Sequence, residues 1–290
     1  MRFTLRQVEV FLAVARFESV SRAGEALHMS QSAVSGALLE LERQFDVRLF
    51  ERIGKRLRLS DRGKALRPQA QATLDRAQEL EAGLSSLEHV GPLRVGATMT
   101  IGDHLAIPLL ARFLRTGEGP RPSLIVANTQ EIARLVANFE IDVGLIEGDV
   151  HHPELSVSRW RDDELVVFCS PSHPYADKRR LGDADLLAAA WVVREQGSGT
   201  RQAFDRAMHG LSLDILLELQ HTEALRAAVE EGLGLGCLSV LAVADHVAQG
   251  KLVRCSVPQR DLRRHFSFLL HKEKFRSASI ERLIALARDL

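Results

Sequence analysis

Hydroxyl side chains and glycines gather at four places after residue 90 in this chain of 290 residues, and as a set they could hold a small anion. Leu93-Arg-Val-Gly-Ala-Thr98-Met-Thr100-Ile101-Gly102 passes from strand alternation into a helical pattern, setting two hydroxyls and free backbone N–H groups at a helix start. Trp191-Val-Val-Arg-Glu-Gln-Gly-Ser198-Gly199-Thr200-Arg201 repeats the arrangement, with Gly197 and Gly199 permitting close approach. Thr222-Glu-Ala-Leu225 opens a third helix, and Ile146-Glu147-Gly148 follows a strand-like run. Serine and threonine cap helices everywhere, so one such junction alone reads as a cap. Four at the ends of strands point to a binding cleft, with Thr98, Thr100, Ile101, Gly148, Ser198, Gly199, Thr200 and Thr222 as its candidate effector-binding residues. Glu147 complicates that reading, because a carboxylate there repels an anion unless Arg194 or Arg201 neutralises it.

A second chemistry, hydrogen bonding to base edges, is suggested near the N-terminus. Val20, Ala23, Ala26 and Leu27 recur at helical spacing, and His28-Met29 breaks the pattern. Ser30 is a good N-cap for a second helix with Ala33, Val34, Ala37, Leu38 and Leu41 inward. Gln31, Ser32, Ser35 and Gly36 then face away, a small polar surface able to enter a major groove. Leu5, Val8, Phe11, Leu12 and Ala15 form a supporting helix ahead of this pair. Beyond it, Val47-Arg-Leu-Phe-Glu-Arg-Ile-Gly-Lys-Arg-Leu-Arg-Leu-Ser60 reads as a two-stranded wing turning at Ile53 to Lys55. Residues 48–64 carry Arg48, Arg52, Lys55, Arg56, Arg58, Arg62 and Lys64 against only Glu51 and Asp61. An isolated basic run would read as a solvated hairpin; beside this helix pair it suits phosphate contacts. The DNA-binding candidates are Ser30, Gln31, Ser32, Ser35, Arg52, Lys55 and Arg56.

Residues 1–64 closely resemble the winged-helix domain of LysR-type transcriptional regulators. The resemblance rests on Phe11-Leu-Ala-Val-Ala15, Ser21, Ala23, Ala26-Leu27, Ser30-Gln31, Ala33-Val-Ser35, Leu41-Glu42 and Leu49-Phe-Glu-Arg52. Two positions depart from the family pattern: Ser32 stands where proline is frequent, and Gly36 where a basic or polar side chain often meets DNA. The resemblance implies an effector domain of two lobes like periplasmic solute-binding proteins, with the chain crossing between them. It also implies a homodimer or homotetramer. Thr-x-Thr-Ile-Gly together with Arg-Glu-x-Gly-Ser-Gly-Thr-Arg resembles the branch governing sulfur assimilation, sulfite response and carbon fixation, whose effectors include small sulfur oxyanions and phosphorylated metabolites. A small anion is therefore the expected effector, double-stranded promoter DNA the expected partner, and RNA polymerase a further candidate.

Composition narrows the alternatives. Basic and acidic residues balance at 38 each, so whole-chain charge says nothing of nucleic acid. No run of about 18 uninterrupted apolar residues occurs, and Met1-Arg-Phe-Thr lacks the apolar core of a signal peptide, so a cytoplasmic protein without membrane contact is expected. Cys169, Cys237 and Cys255 are far apart in sequence and read as buried small hydrophobes. Gln196-Gly-Ser-Gly-Thr200 lacks the first glycine of a nucleophile elbow, and no His-Glu-x-x-His occurs. His151-His152 has no cysteine or carboxylate cluster beside it in sequence to complete a metal site, and Gly232-Leu-Gly-Leu-Gly236 precedes a strand instead of following one. Neither an enzyme, a metal nor a cofactor is expected.

The elements that must position these residues follow from periodicity. Leu66, Ala70, Leu74, Ala77, Leu80, Leu84 and Leu87 make residues 64–88 a long linker helix with an oligomerisation seam, or else an amphipathic helix packed on its own domain. His89-Val-Gly-Pro92 ends it. Strands are predicted at 123–127, 141–146, 164–170, 191–194, 214–220 and 235–239, and helices at 104–115, 129–139, 199–208 and 222–231. Such alternation argues for mainly parallel α/β sheets. The expected organisation is a winged helix-turn-helix at 1–64, a linker at 65–90 and an effector domain at 91–290. Its first lobe takes about 92–161 and 266–290, and its second about 162–265. The competing reading is a cytoplasmic solute-binding protein whose N-terminal domain serves protein contacts.

Overall fold

The computed structural model describes residues 2–53, 56–85, 93–117 and 120–290. Gly54 and Lys55 of the predicted wing turn, the end of the predicted linker with Leu87, and the break at His89–Pro92 lie outside the described residues.

Three helices and a hairpin form the N-terminal unit. Helix α1 (Leu5–Phe17) starts at a capping box in which Thr4 and Gln7 satisfy each other's backbone N–H. Helix α2 (Val20–Leu27) is capped by Ser19 and ends at His28 in the left-handed region, and α3 (Gln31–Phe45) is capped by Ser30. Strands β1 (Phe50–Ile53) and β2 (Arg56–Leu59) pair antiparallel. Val8, Phe11, Val14, Ala23, Val34, Leu38 and Phe50 are buried together, with the Phe11 and Phe50 rings edge-on at 5.7 Å. Leu5, Ala26 and Ala33, expected inward from their spacing, are exposed because the helix contacts cover a narrower stripe than the periodic pattern allows.

Helix α4 (Asp61–Ser85) begins where Ser60 accepts from the Gly63 N–H at 3.0 Å and donates to the Arg48 carbonyl at 2.7 Å, so one hydroxyl both caps the helix and ties it to the wing. Leu66, Ala70 and Leu74 pack onto the N-terminal core, whereas Leu80 is 66% exposed. The predicted seam is thus divided: its first half is spent on the chain's own domain.

The remaining elements form two lobes on crossing strands. Lobe I contains β3 (Leu93–Thr98), a helical rod made of α5 (Met99–Ile101), a π-helical turn (Gly102–Ala106) and α6 (Ile107–Arg115), then β4 (Pro122–Ala127), α7 (Thr129–Ala137) and β5 (Val143–Glu147). Strand β6 (Leu155–Cys169) leaves it. Lobe II contains α8 (Asp183–Ala188), β7 (Ala190–Arg194), α9 (Gly199–Ala207), β8 (Asp214–Leu219), α10 (Thr222–Glu230), β9 (Leu235–Ser239), α11 (Val240–Ala248) and β10 (Val253–Cys255). Strand β11 (Arg263–His271) returns to lobe I, where α12 (Ala278–Arg288) packs.

Among the described residues the strand order is β4-β3-β5-β11-β6-β9-β7-β8, with β10 beside β6. The outer strands β4-β3-β5 and β9-β7-β8 are parallel, while β6 and β11 run antiparallel to each other and to their neighbours. β6 pairs with β11 up to Glu164 and with β9 from Leu165 onward, so that one strand belongs to both lobes. The strand predicted at 164–170 is only the lobe II half of this element; the half at 155–163 alternates polar and apolar residues with charges interleaved, which obscured it. The helix predicted at 104–115 begins at Met99. Cys169 and Cys255, distant in sequence, lie with sulfurs 3.5 Å apart where β10 meets β6.

Ser60→Ala should lower stability by about 1–2 kcal/mol, because it removes both the cap and the tie to the wing. Urea unfolding monitored at α4 and the hairpin tests this; an unchanged midpoint would make the hydroxyl a bystander.

Candidate DNA-reading face and effector cleft

The α2–α3 turn is tight because the Met29 N–H donates to the Gly24 carbonyl at 2.8 Å, and a Cβ at Gly24 would stand 2.7 Å from the Met29 oxygen. This sets α3 with Gln31, Ser32, Ser35 and Gly36 exposed along one side. Ser30 accepts from the Ala33 N–H at 3.2 Å and lies 3.0 Å from the Ser32 hydroxyl, and Ser21 donates to Gln31 Oε1 at 3.3 Å. Ala33 adds a methyl to this face. Glu42 fixes the wing relative to α3, its Oε1 accepting from the backbone N–H groups of Leu49 at 2.6 Å and Phe50 at 3.2 Å. Arg52 and Arg58 are exposed on the paired strands, and Arg56 opens β2.

Between the lobes lies a buried charge network centred on Arg264. Its Nε donates to Asp163 Oδ2 at 2.6 Å, its Nη1 to Thr200 Oγ1 at 2.9 Å and its Nη2 to Thr100 Oγ1 at 3.4 Å. Nη2 also pairs with Glu147 Oε2 at 3.4 Å. Thr200 donates to Glu147 Oε1 at 3.1 Å, and Ser239 donates to Asp163 Oδ1 at 2.7 Å. Thr100 and Glu147 come from lobe I, Thr200 and Ser239 from lobe II, and Asp163 and Arg264 from the crossing strands. Burial pushes the nearby Cys237 thiol up to about 12, against the opposing charge of Arg264.

The residues of the four predicted junctions have distinct fates, and Thr100, Thr200 and Glu147 are the ones joined through Arg264. Thr98 is buried at the N-cap of α5 yet makes no capping bond, and its hydroxyl has no partner among the described residues. The Thr222 hydroxyl, in the first turn of α10, is likewise buried and unpaired. Arg194, whose side chain is 1% exposed, pairs through Nε and Nη2 with Glu195, leaving Nη1 without a partner. Thr100 and Thr200 are engaged by Arg264, whereas Ser198 caps α9 by accepting from the Arg201 N–H. Ile101 fills the lobe I core. Gly148, with φ of 83°, and Gly199 sit at a close approach: a Cβ on Gly199 would stand 2.0 Å from the Glu147 carbonyl oxygen. Asp103 lies within electrostatic reach of both lobes; burial raises its carboxyl, His104 and Arg194 oppose this, and Glu223 and Glu147 reinforce it.

Glu147 is neutralised neither by Arg194 nor by Arg201, which pairs with Asp205 and Glu218. Its partner Arg264 was missed from sequence because no strand was predicted there. The signal was present, since Arg264, Phe266, Phe268 and Leu270 alternate with period two and all are buried. Among the described residues no group of His, Cys, Asp and Glu is arranged to hold a metal ion, and no helix is long and apolar enough to cross a membrane.

Arg264→Met should destabilise the protein by about 3–5 kcal/mol, because it strands two buried carboxylates. Arg264→Lys should lose less, keeping the charge but not the fork. Guanidinium unfolding of both variants checks this, and equal losses would contradict the role assigned to the fork.

The chain is similar to known proteins over both of its parts. Residues 5–64 match the bacterial regulatory helix-turn-helix of the lysR family, and residues 87–290 match the LysR substrate binding domain. The chain is 38% identical to the HTH-type transcriptional regulator YeiE of Escherichia coli K12, covering 98% of this chain and 97% of that one. It is 33% identical to the RuBisCO operon transcriptional regulator of Allochromatium vinosum, covering 94% and 92%. The regulatory domain of Synechocystis CcmR in complex with 2-PG superimposes with a TM-score of 0.63 at 25% identity, covering 69% of this chain and 96% of that one. With a reading head that offers polar groups from α3, a basic wing and a two-lobed domain matching over its whole length, the chain belongs to the LysR family of DNA-binding transcriptional regulators.

Proposed function

We propose that this regulator answers to a small anion bound between its lobes at Thr98, Arg194 and Thr222, with Thr100, Thr200 and the backbone of Ile101, Gly148, Ser198 and Gly199 framing the site. The carrying observation is the set of buried, unpaired polar atoms contributed by both lobes: two hydroxyls and one guanidinium nitrogen. Leaving such atoms unsatisfied costs about 1–3 kcal/mol each, a cost that an oxyanion accepting from all three removes. The helix starts at Met99 and Thr222 favour negative charge there. That the related CcmR regulatory domain takes 2-PG supports the same ligand class.

Anion capture biases the lobes toward one arrangement only by its differential affinity for two states, typically about 1–3 kcal/mol. The readout is DNA. Gln31, Ser32 and Ser35 lie at base edges in the major groove with Ser30 as cap, and Arg52, Lys55 and Arg56 engage phosphates. A second copy of the chain supplies the paired half-site. It covers the apolar edge strands at the two ends of the sheet, where Ile125 and Val126 of β4 and Ile215, Leu216 and Leu217 of β8 are exposed, and it meets Leu80 of α4. The protein works in the cytoplasm as a binding protein, without chemistry of its own, and its DNA-bound form acts on RNA polymerase.

A melting screen against sulfate, sulfite, thiosulfate, phosphate and 2-PG tests the effector class, since ligand at 100 times its Kd stabilises by about 2.7 kcal/mol. Thr98→Val and Thr222→Val should each abolish the shift while leaving DNA affinity unchanged; a shift that survives both places the ligand elsewhere. Arg52→Ala should weaken specific and random duplexes alike and reduce the salt slope of binding by about one. Fluorescence anisotropy over a salt series measures both, and loss confined to one sequence would make Arg52 a base reader.

A further inference from the structure

The three cysteines, far apart in sequence, share one face of the lobe II sheet. Cys237 of β9 and Cys255 of β10 stand opposite Val167 of β6 from its two sides, and Cys169 lies two residues further along β6, on the same face. All three belong to the lobe II core, at 3%, 4% and 0% exposure. Their surroundings differ. The sulfurs of Cys169 and Cys255 are 3.5 Å apart, with the Cys255 thiol donating to Cys169 Sγ. Cys237 is simply desolvated, and burial pushes its thiol up to about 12. A buried thiol of that kind is inert, but two thiols in contact need only side-chain rotation to approach the bonding distance of about 2 Å.

The contact has a direction. The hydrogen bond from Cys255 holds the Cys169 thiol below its usual range against desolvation, and the same bond together with burial pushes Cys255 up. Cys169 is therefore the one that ionises, and the thiolate is the nucleophilic form. Access comes from β10, which is three residues long and, among the described residues, pairs only with β6. Its outward residue Arg254 is held to Glu164 at 3.0 Å, and the Ser256 carbonyl beyond it accepts from the Leu181 N–H at 2.9 Å. A short edge strand held by so few bonds opens locally at far lower cost than the lobe unfolds. Such an opening admits hydrogen peroxide, which is small and neutral, in preference to a bulky disulfide oxidant.

We infer that Cys169 and Cys255 form a peroxide-reactive dithiol, a modification site that closes to an intramolecular disulfide and leaves Cys237 reduced. The Cys169 thiolate attacks one peroxide oxygen: an S–O bond forms, the O–O bond breaks, and the departing hydroxide takes up the proton that Cys169 shed on ionising. Peroxide is reduced to water and Cys169 is oxidised to a sulfenic acid. Cys255 Sγ then attacks the Cys169 sulfur, the S–S bond forms, the S–O bond breaks, and hydroxide leaves with the Cys255 proton as a second water. Two thiols and one peroxide thus give one disulfide and two waters. The bridge joins positions 86 residues apart and encloses every element of lobe II from α8 to β10. It fixes β10 to β6 and removes freedom from the unfolded lobe. The reaction is independent of the anion proposed above.

The test uses the full-length reduced protein without any added anion. It is treated with hydrogen peroxide at a dose that fully oxidises free cysteine, then denatured, alkylated with iodoacetamide and analysed by mass spectrometry. Alkylatable thiols should fall from three to one. The intact mass before alkylation should drop by about 2 Da, the two hydrogens lost in forming the bridge. The tryptic map should join the peptides of Cys169 and Cys255, and dithiothreitol should restore all three thiols. Cys169→Ser should leave Cys237 and Cys255 both alkylatable after the same exposure. Cys255→Ser should stop at a dimedone-reactive sulfenic acid on Cys169 or at its sulfinic product. The wild-type map decides the matter even where a variant fails to fold. Three alkylatable thiols after peroxide, sulfinic acid on Cys169 of the wild type in place of the bridge, or a bridge to Cys237 or to a second chain would overturn the inference.

Discussion

A single guanidinium at the strand crossing constrains everything the effector domain can do. Arg264 and Asp163 sit where β11 and β6 pass from one lobe to the other, and the side chains of Arg264, Glu147 and Asp163 are all almost completely removed from water. Taking three ions out of water costs several kcal/mol each, and the cost is offset only while every partner is in place. That requirement fixes Thr100 and Glu147 of one lobe against Thr200 of the other, with Ser239 holding the far oxygen of Asp163. The contact between the lobes at the crossing strands is therefore polar and specific.

That constraint explains why the hydroxyls divide as they do. Thr100 and Thr200 are held by Arg264 and contribute to the closure of the domain. The Thr98 and Thr222 hydroxyls and one nitrogen of Arg194 are buried with no hydrogen-bond partner among the described residues. Glu147 shares the Arg264 guanidinium with Asp163, which lies closer to it, and receives the Thr200 hydroxyl on its other oxygen.

The reading head uses the same economy of linking groups. Glu42 on α3 holds the start of the wing through two backbone N–H groups, and Ser60 at the end of the wing caps α4 while bonding back to Arg48. Recognition helix, wing and linker are thus set relative to one another by two side chains. Through Arg67, Asp75 and Arg76 the linker is in turn seated on lobe I.

Much of this was legible from local pattern. The cap at Ser30, the break at His28, and the three- and four-residue steps of α2 and α3 are determined within a turn or two of chain, where short-range sterics and hydrogen bonding dominate. The same local signals brought the hydroxyl junctions into view, and the density of matched residues in 1–64 identified the family. What local pattern could not supply was any pairing between distant segments. The partner of Glu147 lies on the returning strand, the two close cysteines are on β6 and β10, half of the predicted linker seam turns toward its own domain, and Ala33 and Ala26 stay in solvent although their spacing pointed inward. Each of these depends on which surfaces meet after the chain has closed long loops, and that choice is made by the summed burial of the whole domain and by the need to satisfy buried charge, neither of which is encoded in a window of ten or fifteen residues.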